Sequence, residues 1–397
     1  MIMEPKNWNV YLFRDILERV EVPVNVESNK EYVQIGIRSH GKGLFYKEPV
    51  LGKALGNKQV FWIQPNCFIL NVVFAWEQAI TKTTENELGM IGSHRFPMYR
   101  PKNDLVDIDY LIYYFLTKRG TDILEAAFPG GAGRNRTLGQ ERFLKSKITL
   151  PPLPEQQKIA TILSTQDKVI ELKEKLLAQK QQQKKYLMQQ LLTGKKRLPG
   201  FDRKWNYVKA NEIFKSIVDK SHGGKLEVLS STQDKGIVPR SQVDIDIKYD
   251  ENSLSTYKKV CEGDFVISLR SFQGGIEYSN YAGIVSPAYT VLRAIVKIDA
   301  GYYKQFFKSS NYIKRLNVAV YGIRDGKQIS YDDFGQIKIP VPPIEEQREV
   351  AKILSTADHE IDLLQKSIEA EKQKKKALMQ LLLMGKARVE DEQRQDG

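Results

Sequence analysis

Basic and amide side chains occupy loops at related positions in the two halves of this 397-residue chain. Arg and Lys suit guanine edges and phosphates in the DNA major groove, and Asn and Gln suit adenine. A solvated surface charge would explain any single one of them, but it does not explain why both halves share the placement. The candidate DNA-binding residues are Arg38, His40, Lys42, Arg134, Asn135 and Arg136 in the first half, and Thr232, Gln233, Lys235, Arg270, Ser271, Gln273, Arg324 and Lys327 in the second.

Signatures of catalysis and of cofactor binding are nearly absent from the sequence. It contains no GxxxxGK[ST] phosphate loop, no HExxH, no CxxC pair and no GxSxG elbow. The two cysteines and four scattered histidines disfavour a disulfide framework or a zinc module. We therefore expect a chain without catalytic residues, metal site or cofactor.

The charge balance favours a polyanionic partner. The 61 Lys and Arg residues exceed the 48 Asp and Glu residues, which gives a net charge of +13. The excess is +4 over residues 1–150, +6 over 151–200 and +5 over 201–340, whereas residues 341–397 carry −2. Neither a membrane-spanning run nor a signal peptide is evident, so we expect a cytoplasmic protein without a membrane partner.

The two halves of the chain are tandem copies of each other. Residues 152–198 align without gaps to residues 343–389, at an offset of 191, with 23 identities in 47 positions. The same offset pairs residues farther upstream, such as Phe143 with Phe334. We conclude that a unit of about 190 residues has been duplicated.

Each copy combines a globular domain with a long helix. Short β-branched and aromatic runs predict strands, and residues 109–124 and 300–316 predict helices, so we expect α+β domains over residues 1–150 and 198–341. In each copy, prolines precede a long segment without helix breakers and a glycine follows it, which predicts a helix. The central helix is expected within residues 151–197 and the distal helix within residues 342–389. Residues 390–397 are expected to form a disordered tail.

Apolar residues recur every seven positions along both predicted helices, and a lysine interrupts each series at the same place, Lys184 and Lys375. We expect the two helices to pair as an antiparallel coiled coil with pseudo-twofold symmetry, because they come from tandem copies. The alternative is that each helix packs only on its own globular domain.

The duplicated motifs resemble the conserved regions of a known family. PPLPEQQKIA at residues 151–160 and PPIEEQREVA at residues 342–351, each followed by ILSTxD, are similar to the specificity subunits of type I restriction-modification enzymes. The resemblance implies two target-recognition domains, each reading one half of a bipartite, asymmetric site on double-stranded DNA. It also implies that the helix pair sets the spacer between the half-sites.

The resemblance further implies partners that carry out the catalysis. These are two methyltransferase subunits and the restriction or motor subunits, which would hold S-adenosylmethionine, Mg²⁺ and ATP. The residues expected to dock the partners are Pro152, Glu155, Gln156, Ile159, Leu163, Pro343, Glu346, Gln347, Val350 and Leu354.

Two other functions compete with this interpretation. A coiled-coil scaffold that binds only proteins would explain the helices but not the paired basic loops. A stand-alone DNA enzyme is disfavoured because its cofactor and metal motifs are missing.

Overall fold

The chain forms two compact units in a computed structural model that describes residues 7–128, 137–223, 225–243, 251–269, 271–320 and 329–389. The first unit comprises Met1–Lys173 and Ser367–Gly397, and the second comprises Glu174–Lys366. Each unit therefore contains one globular domain and parts of both long helices. The tail predicted at residues 390–397 lies outside the described residues.

The globular part of the first unit is α+β. A four-stranded antiparallel sheet has the order β2-β11-β8-β9, and β1 pairs with β12 to join the two ends of the domain. The elements are β1 Asn9–Leu12, α1 Phe13–Ile16, β2 Leu17–Val20, β3 Glu31–Tyr32, β4 Ile35–Ile37, β5 Leu44–Tyr46, β6 Val50–Leu51, β7 Val60–Trp62, β8 Phe68–Leu70, β9 Ile80–Lys82, β10 Ile91–Ser93, β11 Met98–Pro101, α2 Ile108–Phe115, α3 Lys118–Ala126, α4 Gln140–Lys145 and β12 Lys147–Leu150.

The second unit repeats this topology. Its four-stranded antiparallel sheet has the order β14-β21-β18-β19, and β13 pairs with β22 as β1 pairs with β12. The elements are β13 Asn206–Lys209, β14 Phe214–Ile217, β15 Leu229–Thr232, β16 Gly236–Pro239, β17 Lys258–Val260, β18 Phe265–Ile267, α6 Ser271–Gly274, β19 Glu277–Tyr278, β20 Gly283–Val285, β21 Thr290–Ala294, α7 Ala300–Phe307, α8 Ser310–Val320, α9 Tyr331–Gln336 and β22 Lys338–Val341.

The segments predicted as single helices at residues 109–124 and 300–316 are each two helices. A hydroxyl begins the second helix of each pair, because the Thr117 Oγ1 accepts a hydrogen bond from the Gly120 N–H and the Ser309 Oγ accepts one from the Tyr312 N–H. Such capping satisfies amides that a helix end leaves unpaired, and it fixes the break between the helices.

Two helices of 39 residues follow the globular domains, as predicted: α5 spans Leu153–Leu191 and α10 spans Ile344–Leu382. Gly194 and Gly385 lie just beyond them with φ of 69° and 65°, a left-handed conformation that favours glycine and ends a helix.

Each globular core packs on segments of both long helices. In the first unit, Ile159 and Leu163 of α5 and Leu382 of α10 join a core built around the stacked rings of Phe13 and Phe143. In the second unit, Leu191 of α5 and Val350 and Leu354 of α10 join a core built around Phe214, Phe265 and Phe334. The alternative in which each helix packs only on its own globular domain is therefore wrong.

Candidate nucleic-acid interface

The first predicted DNA-contact loop is the turn of the β4–β5 hairpin. The Arg38 N–H donates to the Gly43 carbonyl at 3.0 Å and closes the turn. The His40 N–H donates to the Glu77 carbonyl at 2.8 Å, which holds His40 in a left-handed conformation at φ 61°. Arg38, His40 and Lys42 are all exposed, so a fixed backbone presents them to solvent.

Arg38 is also oriented through its side chain. Its guanidinium donates to the Leu44 carbonyl and lies 5.4 Å from the centre of the Phe45 ring. The ring itself covers Gly36, where a Cβ atom would lie 2.2 Å from it. A stacked arginine of this kind keeps further N–H groups free for a base edge or a phosphate.

The second predicted loop is the turn of the β15–β16 hairpin, with Gln233 and Lys235 exposed. The Thr232 hydroxyl donates to the Gly236 carbonyl at 2.9 Å and accepts a hydrogen bond from the Lys235 N–H at 3.1 Å. Gly236 has φ of 76°, and a Cβ there would lie 2.7 Å from the Tyr278 carbonyl oxygen. Thr232 thus shapes the turn, while its neighbours carry the exposed polar groups.

A buried ion pair fastens this turn to the body of the second unit. The Lys308 ammonium, at the end of α7, donates to the Gln233 carbonyl at 3.1 Å and to the carboxylate of Glu277. Burial raises the pKa of Glu277, and the nearby Lys308 only partly offsets that effect. Neither residue could be predicted from the sequence, because both are distant in sequence from the turn and stand in no recognisable motif.

Helix α6 lies beside the same turn. Gln273 is exposed, and a Cβ added to the adjacent Gly274 would lie 3.0 Å from the Gln233 Cγ. Ser271 differs, because it is buried and its Oγ accepts a hydrogen bond from the Ser268 N–H at 2.8 Å. The Ser271 hydroxyl thus satisfies a backbone amide within the unit, and its contact with DNA stays a prediction.

The remaining candidates lie outside the described residues and stay predictions. They are Arg134, Asn135, Arg136, Arg270, Arg324 and Lys327.

The duplicated sequence motifs meet crosswise within the units. In the first unit, the Arg388 guanidinium donates to both carboxylate oxygens of Glu155 at 2.8 Å. In the second, the Arg197 guanidinium donates to both oxygens of Glu346 at 2.7 Å, and the Trp205 indole N–H donates to the same carboxylate at 2.8 Å. The glutamate that begins one long helix thus binds the arginine that follows the other.

The adjacent glutamines fasten the helix starts to the globular domains. The Gln156 carbonyl accepts from the Asp107 N–H ahead of α2, and the Gln347 carbonyl accepts from the Asp299 N–H ahead of α7, each at 2.9 Å. Each amide also donates at 2.8 Å to the carbonyl of the proline five residues earlier.

Most of the motif side chains predicted to dock a partner are buried in their own unit, because they form the glutamate and glutamine contacts above or join the apolar cores. The eight buried ones are Glu155, Gln156, Ile159, Leu163, Glu346, Gln347, Val350 and Leu354. Pro152 is exposed and Pro343 half-buried. The docking of a partner by this segment stays a prediction.

The lysines that interrupt the heptads each pair with the aspartate of an ILSTxD motif. In the first unit, Lys375 lies 2.5 Å from Asp167, which also accepts a hydrogen bond from the Tyr113 hydroxyl at 2.8 Å. In the second, Lys184 pairs with Asp358, which accepts a bond from the Gln305 amide at 2.6 Å. Each aspartate thus joins both long helices to a helix of the globular domain.

Other polar contacts also join the two long helices within each unit. In the first unit, Lys173 lies 2.7 Å from Glu371, which also accepts a hydrogen bond from the Gln166 amide. Hydrogen bonds from Lys173 and then Gln166 lower the pKa of Glu371. In the second unit, Lys180 lies 2.8 Å from Glu360.

Within the described ranges, no group of three or more His, Cys, Asp or Glu side chains is placed to hold a metal ion. In the same part of the chain, no helix combines the length and the apolar character needed to cross a membrane.

The two α+β domains share one topology and alternate with two long helices, which the duplicated motifs join to each other. This arrangement defines a two-copy DNA-specificity architecture. The chain belongs to the family described as type I restriction modification DNA specificity domain, whose model matches residues 27–181 and 202–372. The predicted family and the predicted duplication are confirmed.

Similar proteins share this organisation over nearly the whole chain. The type I restriction enzyme MjaVIII specificity subunit of Methanocaldococcus jannaschii is 26% identical over 427 residues, covering 98% of this chain and 94% of its own. The crystal structure of the HsdS subunit from Thermoanaerobacter tengcongensis matches with a TM-score of 0.56 at 20% identity. The match covers 97% of this chain and 98% of that chain. A chain from a structure that concerns complex assembly and conformational transition of the type I R-M system matches with a TM-score of 0.60 at 19% identity. The match covers 97% of this chain and 100% of that chain. The two solved structures support the fold.

Proposed function

We propose that this chain is the non-catalytic specificity subunit of a type I restriction-modification complex, in which each globular domain reads one half of a bipartite DNA site. The observation that carries the proposal is the pair of hairpin turns at equivalent places in one topology. One turn presents Arg38, His40 and Lys42, and the other presents Gln233 and Lys235. Different side chains on equivalent scaffolds select different bases, so the site is asymmetric.

We infer that α5 and α10 pair as an antiparallel coiled coil that sets the spacer between the half-sites. Contacts in each unit support this, because residue numbers fall along α10 as they rise along α5. Lys173 pairs with Glu371 in the first unit, and Lys180 and Lys184 pair with Glu360 and Asp358 in the second. Charged pairs of this kind specify register and orientation in coiled coils.

The catalytic partners in this proposal are two methyltransferase subunits and the restriction or motor subunits. The cofactors S-adenosylmethionine, Mg²⁺ and ATP belong to those partners. Leu172 and Leu363 stand at the same position of the two helix copies and are 54% and 52% exposed. Exposed apolar residues repeated in this way suit the docking of two copies of one partner.

The test of the function is to map methylation in cells that express the chain with its methyltransferase. We expect methylated bases within one motif that has two different specified halves and a fixed unspecified gap. A palindromic motif would contradict two unlike reading domains. A complex that forms but binds all duplexes equally would instead support the protein scaffold.

Replacing one exposed turn residue is expected to change one half-site only. Gln233→Ala removes a side chain that can pair with adenine, and this typically costs about 1–3 kcal/mol of base discrimination. The matched variant in the first unit is Lys42→Ala, which we expect to affect the other half-site. Motif mapping of both variants is the measurement, and uniform weakening on all DNA would mean that the residues contact phosphate alone.

A further inference from the structure

A groove in the second unit is lined almost wholly by cationic and polar side chains. Its walls are the last three turns of α5 with the loop that follows, and the start of α8, and its volume is about 770 Å³. Six of its lining residues are cations and none is a carboxylate. This basic groove is defined by Lys184, Lys185, Lys195, Lys308, Lys314 and Arg315.

Two of the six cations are already paired within the unit. Lys184 binds Asp358, and Lys308 binds Glu277. The other four are exposed, and among the described residues no carboxylate lies within ion-pair distance of them. Like charges gathered around one groove repel each other, so a bound polyanion would relieve the repulsion.

The basic groove shares Lys308 with the contacts of the turn that we propose reads DNA. Lys308 lines the groove, and its ammonium also donates to the Gln233 carbonyl in the β15–β16 turn. A duplex that reaches Gln233 would therefore bring its backbone to the edge of the groove.

The chemistry of the lining suits phosphates better than an acidic protein surface. Besides the cations, the walls present amides and hydroxyls, including Gln189, Thr193 and Ser310, and Met188 is the one apolar lining residue. Lysine, arginine, amide and hydroxyl groups are the usual ligands of DNA phosphates, whereas protein interfaces have apolar or aromatic centres.

We propose that the basic groove binds the phosphodiester backbone of duplex DNA beside the half-site read by the second unit. The proposal rests on the proposed function, and it adds a phosphate-binding surface that is separate from the base-reading turn. It assigns to Lys185, Lys195, Lys314 and Arg315 a contribution to affinity and none to the choice of bases.

The first unit lacks the equivalent wall. The helices that carry these positions begin after Thr117 and Ser309, an offset of 192, so Lys314 and Arg315 correspond to Asp122 and Ile123. Lys185 and Lys195 do have counterparts, Lys376 and Lys386, which are also exposed, whereas the positions that match Lys314 and Arg315 carry no cation. Replacing Lys376 and Lys386 therefore provides a control variant that removes the same charges from the copy of the same motif.

The experiment measures how duplex binding by the complex of the full chain with its methyltransferase depends on salt. The slope of log affinity against log salt is negative, and each lost phosphate contact makes it less steep by about 0.9. We expect Lys185→Gln with Lys195→Gln to reduce its steepness by about 1.8, and Lys314→Gln with Arg315→Gln to do the same. Cognate and unrelated duplexes should weaken alike, by about tenfold or more at 0.1 M salt, with the methylated motif unchanged.

The control variant, Lys376→Gln with Lys386→Gln, should change the slope by less than half as much. An unchanged slope in the groove variants, or an equal change in the control, would overturn the proposal. Loss of the methyltransferase from the complex at an unchanged slope would also overturn it and would make the groove a protein interface. If the complex with the wild-type chain shows no sequence preference, the proposed function fails. The salt dependence of binding to an unrelated duplex still decides whether the groove binds phosphate.

Discussion

Inserting four residues into both long helices, after Leu177 and after Leu364, is expected to lengthen the gap between the half-sites by about two base pairs. Four helical residues add about 6 Å, and B-form DNA rises about 3.4 Å per base pair. The insertion points lie between the contact of Lys173 with Glu371 and that of Lys180 with Glu360. The polar contacts described above between the helices can therefore persist.

Methylation mapping of this paired insertion is the measurement, and both half-sites should keep their bases. The control is the same insertion in α5 alone, which leaves α10 too short to match. We expect that variant to lose stability and methylation without gaining a new gap. Altered half-site bases at an unchanged gap in the paired insertion would contradict a helix pair that sets the spacer.

The long helices and the duplication could be predicted because their signals are local and periodic. Heptad spacing, prolines ahead of each helix and the glycines at 194 and 385 lie within continuous segments, and the structure begins and ends α5 and α10 accordingly. The duplication, at an offset of 191 residues, can be detected by aligning the two halves of the sequence without a structure. The breaks at Thr117 and Ser309 were missed because both flanking helices have apolar periodicity.

The contacts of the duplicated motifs could not be predicted from periodicity. Glu155 and Arg388 are 233 residues apart, and no local pattern reports which side chains a fold brings together. The resemblance implies a docking role for these motifs, and the structure adds that their glutamates and glutamines are buried and hold each unit together. The burial of Ser271 likewise depends on packing that the sequence does not display.

The structure also explains why the central helix region is more basic than its copy. Lys173 and Lys180 of α5 pair with Glu371 and Glu360 of α10, whereas the copy has Leu364 and Glu371 at the matching positions. Part of the charge difference between the two helix regions therefore serves the contacts between the helices.

The crosswise glutamates predict unequal losses of stability. Glu346→Ala leaves Arg197 without its carboxylate and the Trp205 indole without its acceptor, in a site where the Glu346 side chain is 1% exposed. Breaking a buried pair by removing one partner typically costs about 3–5 kcal/mol. We expect a loss of that size in the free energy of unfolding of the second unit.

The matched variant, Glu155→Ala, should cost about 1–3 kcal/mol, because the Arg388 side chain is 37% exposed and water can solvate it once the carboxylate is gone. Urea unfolding of the full chain, followed by hydrogen exchange to assign each transition to a unit, is the measurement. Glu346→Gln should lie between wild type and Glu346→Ala, because the amide can still accept the indole hydrogen bond. Equal losses at the two glutamates, or a loss below about 1 kcal/mol at Glu346, would show that burial does not set the strength of these contacts.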